Sequence, residues 1–553
     1  MTSANANAIN CKNNHHKNKR SRTLPPAPPT PPHPLGIRPL GNLLFARTAP
    51  GFVDTRTRGL GPTTFARFDD EFVLAFLVQY VNDPVTLCRL AQASKAWLAF
   101  WSYDEIWKAW VLEKWRTLPV DACRRFVPPS WRHTYISLAG AQDKANPDEF
   151  NITIPHFYSD LLFQPHIYTS TPLSYLLDMC QAYTNAGILA QLPRVSNPSP
   201  MDFATTYEST STPCILTDCI SHWPAFATYP TFAEFESLYG SLRLRAEATD
   251  LTLSEYLTYL RANPPDESPV YLFDKDFPRQ GALGAQLARS YSVPDYFKAD
   301  LFSVLGATRP DFAWLIVGPI RSGSTHHKDP NMTSAWNAVI TGSKLWIMYP
   351  PDVVPPGVFP SADGAQVSTP NSLVDWWLNW MPRTRDLGLK GGVWGVCGKG
   401  EVMFVPHGWW HTVINLEDSI AFTQNYVSVS NLRAVLEFLR TSRGMVSGYG
   451  NADDAQMVES AETSATAAAA GMCCGVDAGR LYENFVAGLK EHKAQDEEVM
   501  SIVTEFERDV EEKERVRKSA VVVEKEGKIG GTLWDTIVGD EREQGGAVFS
   551  LFG

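Results

Sequence analysis

From about residue 195 to residue 440 the chain is a succession of brief apolar runs, each cut off by glycine, proline, asparagine or aspartate. "PCILTD", "SPVYLFDKDF", "FAWLIVGPIRSGS", "TSAWNAVITGSKLWIMYPP", "KGEVMFVPHGWWHTVINL" and "SIAFTQNYVSV" follow one another in this way. Many short strands with turn residues between them predict an all-β sandwich or barrel. Within it, "AWNAVITGSKLWIMYP" reads as a hairpin, with "TGS" joining two aromatic-rich strands.

One stretch of this region, "STHHKDPNMTSAWNAV" (324–339), places two histidines, a lysine and an aspartate side by side. His326 and Asp329 have the spacing of a helix face, whereas His327 and Asp329 have that of a strand face. "FAWLIVGP" before and "TSAWNAVI" after both read as strands, so His327 and Asp329 share a side and His326 points away. Imidazole with carboxylate suits Fe(II), and a facial triad requires a second histidine from elsewhere. His411, 84 residues further on in "FVPHGWWHTVINL", is the candidate, with His407 as its rival. His411 lies within the aromatic-apolar strand and His407 in the "PHG" turn, which favours His411.

HxD by itself is a weak signal, and a single core histidine is usually satisfied by backbone. The company of these residues changes that reading. Asn337 and Lys344 stand inside otherwise apolar runs one strand further on, and a lysine in a buried strand is costly unless an anion pairs with it. Thr423 and Asn425 in "AFTQNYV" are polar at period-two spacing in a strand that should be core. A dry barrel with one cation, several hydrogen-bonding groups and a metal triad is equipped to hold a small dicarboxylate beside iron.

The motifs "GPIRSGS", "HKDP", "TSAWNAVITGSK", "MFVPHGWWHTVINL" and "AFTQNY" recur in the order found in Jumonji C (JmjC) domains. Region 195–440 resembles that family, and within it the arginine demethylase and lysyl hydroxylase branch once called the phosphatidylserine receptor. The resemblance implies a mainly β catalytic domain, a double-stranded β-helix of cupin or jelly-roll type with flanking helices. It makes His327, Asp329 and His411 the ligands of Fe(2+). Lys344 would hold the distal carboxylate of 2-oxoglutarate, helped by Thr423, Asn337 and Tyr271, with Ser324 where the family has threonine. Dioxygen would be the second co-substrate, and a protein or peptide bearing lysine, or methylated lysine or arginine, the substrate. Lysyl hydroxylation is the first expectation and N-methyl-arginine or N-methyl-lysine demethylation the second. A scaffold that only presents a substrate would have no use for the triad or for Lys344.

Outside this region the chain changes character. Residues 1–60 are polar and then proline-rich ("PPAPPTPPHP"), which predicts a disordered or extended tail. "FVLAFLVQYV", "TLCRLAQASKAWLAF" and "DEIWKAWVLEKW" have helical periodicity and predict three short helices over 66–118. Phe72, Phe76, Leu77, Asp83-Pro84, Leu87, Leu90, Ser94, Lys95, Trp97, Asp104 and Trp107 resemble an F-box in their order, although "RFDDEF" replaces the usual Leu-Pro opening. That resemblance implies a Skp-type ubiquitin-ligase adaptor as partner. Residues 451–471 read as a linker, and 476–553 as a helical C-terminal region in which Leu481, Phe485, Leu489, Val499, Ile502, Val503 and Phe506 mark an amphipathic face. Trp376, Trp377 and Trp380 read as core anchors.

With 553 residues, 44% of them hydrophobic, the chain can bury a sizeable core. A net charge of −11 argues against general nucleic-acid binding. Nine scattered cysteines without a CxxC fit a reducing compartment. No apolar run is long enough to cross a bilayer. The N-terminus lacks a signal-peptide core and carries "KNKRSR", so the nucleus is the expected location, with the cytoplasm as the other.

Overall fold

The computed structural model describes residues 25–39, 68–140, 154, 157–448 and 478–527, apart from positions 82, 120, 363, 365 and 371. Two units are present. The first takes in residues 1–298, 311–329 and 333–425, and the second 299–310, 330–332 and 426–553.

Five helices open the first unit: α1 Asp70–Phe76, α2 Pro84–Ala93, α3 Lys95–Trp101, α4 Asp104–Thr117 and α5 Trp131–Leu138. "TLCRLAQASKAWLAF" is thus two helices where periodicity alone predicts one. Ser94 is extended and its hydroxyl accepts from the Trp97 amide, so it caps α3 and interrupts the run. Asp83 caps α2 in the same way, accepting from the Val85 and Thr86 amides. On α4, Ile106, Trp107, Lys108, Trp110, Val111 and Trp115 are all buried. The Asp104 carboxylate accepts from the Trp131 and Arg132 amides at 2.8 and 3.0 Å and so caps α5, although burial pushes it up to about 6. Helices α6 Asp160–Ser170 and α7 Leu173–Asn185 follow. The proline-rich stretch 25–38 is extended but not free. Ile37 is buried, Arg38 bridges to Tyr158, and the carbonyls of Pro31 and Pro25 meet His166 and Tyr175 on α6 and α7.

The β region forms two sheets. Its strands are β1 Ala190–Gln191, β2 Arg194–Ser196, β3 Cys214–Thr217, β4 Arg243–Ala246, β5 Thr249–Thr252, β6 Leu272–Asp274, β7 Ala313–Gly318 and β8 Gly323–His327. They continue with β9 Ser334–Thr341, β10 Ser343–Tyr349, β11 Phe359–Pro360, β12 Val367–Ser368, β13 Val393–Gly398, β14 Val402–Val405, β15 Trp410–Asn415 and β16 Ser419–Tyr426. The larger sheet runs β2-β3-β14-β9-β16-β7-β6-β4-β5 and the smaller β1-β13-β10-β15-β8, with β11 and β12 as a separate ribbon. Helix α8, Leu253–Ala262, leaves β5 through a capping box of Thr252 and Glu255.

The predicted hairpin is not one. β9 and β10 are consecutive, yet they lie in different sheets. Gly342 between them has φ +80°, and a Cβ there would lie 2.3 Å from the Asp418 carbonyl oxygen. The turn carries the chain around the edge of the sandwich, so β9 joins β14 and β16 while β10 joins β13 and β15. This sheet-to-sheet crossing is what a jelly roll requires.

Alternate residues then face a shared interior. Ala335, Val339, Trp346, Met348, Met403, Val405 and Val413 fill it from both sheets. Leu345, Ile347, Tyr349 and Ile414 face outward and pack with Leu176 and Tyr183 of α7 and with Trp376 and Trp377. Of the expected tryptophan anchors, Trp376 and Trp377 are core and Trp380 is half-buried against them; each fully buried aliphatic side chain contributes about 1.5–3 kcal/mol.

In the second unit, α9 Val429–Thr441, α10 Leu481–His492 and α11 Glu497–Gly527 share an apolar core. Val435, Leu436, Leu439, Phe485, Leu489, Val499 and Val503 are buried in it. The amphipathic face read from the sequence is the face that packs. The expected linker 451–471 and the last residues, from 528 on, lie outside the described residues.

Candidate metal centre

β8 and β15 are antiparallel neighbours, and their register sets His327 directly opposite His411. The register shifts between His411 and Val413, a bulge at which the Thr412 hydroxyl donates to the Ser324 carbonyl. Asp329 follows two residues after His327. One ligand atom from each of His327, Asp329 and His411 lies within 4.8 Å of the others.

The surroundings prepare the three side chains as ligands. Nδ1 of His327 is 2.7 Å from the Thr325 carbonyl oxygen, and Nδ1 of His411 is 3.1 Å from that of Trp409. With a proton on Nδ1 donated to those carbonyls, each ring keeps its Nε2 lone pair for a metal. Burial, and then the neighbouring His327, hold His411 well below the usual imidazole range, so it is neutral. Asn425 on β16 hydrogen-bonds the Asp329 carboxylate, and its Nδ2 also donates to Thr333 Oγ1 at 2.7 Å. Asp329 Oδ2 is buried with no hydrogen-bond partner. Burial raises the carboxyl above its ordinary range, a cost that a cation would offset. An orphaned carboxylate oxygen beside two imidazoles fits a divalent metal of the 2-His-1-carboxylate type.

Neighbouring residues point elsewhere. His326 lies on the outer face, its ring 4.4 Å from Trp376 and 6.0 Å from Tyr349, and neither of its nitrogens has a partner. Lys328 donates to the Pro351 carbonyl and sits 4.7 Å from the Trp410 ring centre. The His407 amide donates to Ser334 Oγ in the turn before β15.

Lys344 enters the same interior from β10. Its ammonium donates to Asn415 Oδ1 at 2.8 Å, Ser419 Oγ at 3.0 Å and the Tyr271 hydroxyl at 3.1 Å, and it is 1% exposed. Burial without a carboxylate at hand lowers it to about 7. Among the sequence candidates, Tyr271 therefore meets Lys344 directly. Thr423 shares the inner face, but its hydroxyl donates to the Trp336 carbonyl at 2.7 Å. Asn337 is buried opposite Met403, with its Oδ1 lacking a partner. Ser324 sits on β8 beside the bulge. Asn415 and Ser419 are additions. The register Lys344↔Asn415 and the period-two series Ser419, Ala421, Thr423, Asn425 carry the signal that would have found them.

Residues 200–431 match the cupin-like domain family. Over 416 residues, 75% of this chain and 77% of the relative, the sequence is 41% identical to the arginine-specific demethylase JMJ22 of Arabidopsis thaliana. It is 33% identical over 244 residues, 42% of this chain and 60% of the relative, to the bifunctional arginine demethylase and lysyl-hydroxylase psr-1 of Caenorhabditis elegans. A shorter match of 159 residues, 27% of this chain and 35% of the relative, is 30% identical to the 2-oxoglutarate and iron-dependent oxygenase JMJD4 of Danio rerio. The JMJ22 match runs through most of both chains, and the two sheets and the His-Asp-His cluster have the form this likeness requires: the chain belongs to the JmjC family of cupin-like proteins.

Proposed function

We propose that this protein is an Fe(II)- and 2-oxoglutarate-dependent protein oxygenase, with dioxygen as its second co-substrate and the side chain of a protein lysine as its first target. The observation that carries the proposal is the pairing of the His327–Asp329–His411 cluster with a buried lysine that has no carboxylate partner among its hydrogen bonds. Iron and 2-oxoglutarate, when bound, supply the dioxygen chemistry: one oxygen atom enters a substrate C–H bond and the other ends in succinate, with loss of carbon dioxide.

The chain's own residues do the positioning. His327 and His411 present Nε2 and Asp329 its free Oδ2 to the metal. Asn425 fixes the plane of that carboxylate. Lys344, oriented by Asn415, Ser419 and Tyr271, attracts the far carboxylate of the co-substrate. Trp346, Met348 and Val413 line the interior and keep it dry, which strengthens every charge interaction inside. A second reading is demethylation of N-methyl-arginine, favoured by the breadth of the likeness to JMJ22. Both outcomes begin with hydroxylation. A hydroxyl on an N-methyl carbon collapses to formaldehyde, whereas one on a side-chain methylene stays.

The test is succinate formation from 2-oxoglutarate by the purified chain with Fe(II) and ascorbate, with His327→Ala and Lys344→Ala as controls. Lysine-rich and methyl-arginine peptides are then weighed for a gain of one oxygen or the loss of a methyl. Turnover abolished by both substitutions supports the proposal; wild-type protein that neither turns over nor binds 2-oxoglutarate defeats it.

We propose in addition that α1, the helical turn Leu77–Val81 and α2 offer a Skp-type adaptor the apolar side chains Phe72, Tyr80 and Val85, which are exposed. Loss of adaptor capture by Tyr80→Asp, with turnover retained, is the outcome that supports this. The basic cluster in residues 17–22 is proposed as a nuclear address, tested by the location of a fluorescent fusion lacking it.

A further inference from the structure

Tyr271 meets Lys344 from the end of an irregular segment that precedes β6. A segment without helix or ladder for most of its length has to be held by side chains, and those side chains converge on one residue of α4. Lys108 Nζ donates to Asp266 Oδ1 at 2.7 Å and to the Ser268 carbonyl. Asp266 Oδ1 also accepts from the Ser268 amide at 3.2 Å. Asp266 Oδ2 accepts from Trp131 Nε1 on α5 at 3.2 Å and from the Tyr259 hydroxyl on α8 at 2.8 Å. That hydroxyl in turn accepts from the Val270 amide at 3.0 Å, and the Tyr256 hydroxyl lies 2.9 Å from the Val270 carbonyl. The second acid beside Lys108 is Glu105, 3.8 Å from Nζ; Glu247, whose charged form Lys108 also favours, accepts from the Tyr271 amide at 3.3 Å. Ser268, Val270 and Tyr271 are thus all anchored to groups that answer to the Lys108 charge. Both Lys108 and Asp266 are buried.

We propose that Lys108 is a positioning residue for the co-substrate pocket: through Asp266 and the Ser268 carbonyl it holds residues 266–271 so that the Tyr271 hydroxyl stands against Lys344. The inference rests on the reading of Lys344 as the anchor of 2-oxoglutarate. An ion pair that only held α4 in place would need no more than one carboxylate oxygen. Here the remaining acceptor positions of Asp266 are taken by Ser268, by Trp131, and by the tyrosine that grips Val270. Removal of the ammonium leaves a buried carboxylate uncompensated, and the strain falls on the segment bonded to it.

The experiment compares wild type, Lys108→Met, Tyr271→Phe and the two combined, all in the full chain. Lys108→Met/Asp266→Asn serves as the variant in which Asp266 is not left as an unpaired buried carboxylate; Glu105, 3.8 Å from Lys108 Nζ and 28% exposed, is the acid that remains. Hydrogen exchange is followed at the Ser268, Val270 and Tyr271 amides, and 2-oxoglutarate and Mn(II) binding are measured by calorimetry. We expect about tenfold faster exchange at those three amides in both Lys108 variants, with β9 and β15 unchanged. 2-Oxoglutarate affinity should fall about tenfold at constant Mn(II) affinity. Tyr271→Phe should absorb that loss, so that the combined variant binds no worse than the weaker single one. Unchanged exchange at the three amides overturns the inference. So does a loss of affinity that is undiminished in the Tyr271→Phe background, or that Mn(II) binding shares. Wild type that binds no 2-oxoglutarate, with the three amides still loosened by Lys108→Met, upholds the positioning and defeats only the co-substrate assignment.

Discussion

Lys344 is an ammonium kept in apolar surroundings by three neutral acceptors, and burial lowers it to about 7. A bound carboxylate favours the charged form, so co-substrate binding above that pH must take up a proton. The sign follows: 2-oxoglutarate affinity is flat below about pH 6 and falls by up to about tenfold per pH unit from 7 toward the free-lysine value of about 10.4. Calorimetry at pH 8 in two buffers of different ionisation enthalpy should show the proton uptake, and Lys344→Met should abolish the slope. The two histidines of "PHGWWH" make a second residue-scale contrast. His411→Ala should reduce turnover at least a hundredfold and remove metal, while His407→Ala should stay within about twofold of wild type. The triad was legible in the sequence because strand alternation sorts His327 from His326 and because His411, unlike His407, sits inside a strand pattern. Asn415 was not legible. It ends an apolar run and looks like the start of a turn until the register sets it beside Lys344.

At the scale of elements, the short runs announced strands but not their partners. β9 and β10 are buried on both faces, so neither carries a polar side that would tell one sheet from the other, and a hairpin and a crossing look alike. The bulge at β8 and β15 is the element on which the metal cluster depends, and Gly323 is its tightest point. A Cβ there would lie 2.0 Å from the Val413 carbonyl oxygen, and the next atoms it meets are also β15 backbone, with nothing flexible to yield. Gly323→Ala should therefore cost about 1–3 kcal/mol of stability. It should also weaken Mn(II) binding, because the strand that moves carries His327. A melting curve and a metal titration on one sample check both, and an unaltered metal affinity would show that the bulge is not what aligns the two histidines.

For the whole molecule, periodicity located the N-terminal and C-terminal helices but not what they belong to. Lys108 and Asp266 are 158 positions apart, and nothing local in either sequence marks the other as its partner. The result is that α4 and α5 belong to the same unit as the two sheets, while Phe72 on α1, Tyr80 in the turn after it and Val85 on α2 are exposed. In the second unit the helical core stands on residues such as Phe485, fully buried against Phe302 at 4.8 Å between ring centres. Phe485→Ala should destabilise that unit by about 3–5 kcal/mol, read by denaturant unfolding followed through hydrogen exchange of α10.

The adjacent histidines also bear on how the chain reaches this arrangement. His326 is buried among Trp376 and Tyr349 with both nitrogens unpartnered, while His327 faces the triad. A slip of β8 by one residue exchanges them, because side-chain direction alternates along a strand. The misaligned chain would still show an imidazole to His411, but Lys328 would take the side that Asp329 needs, and an ammonium repels the cation a carboxylate would hold. Metal content is thus a reporter of strand alignment. A refolded sample with native secondary structure and no affinity for divalent ions has paired out of step.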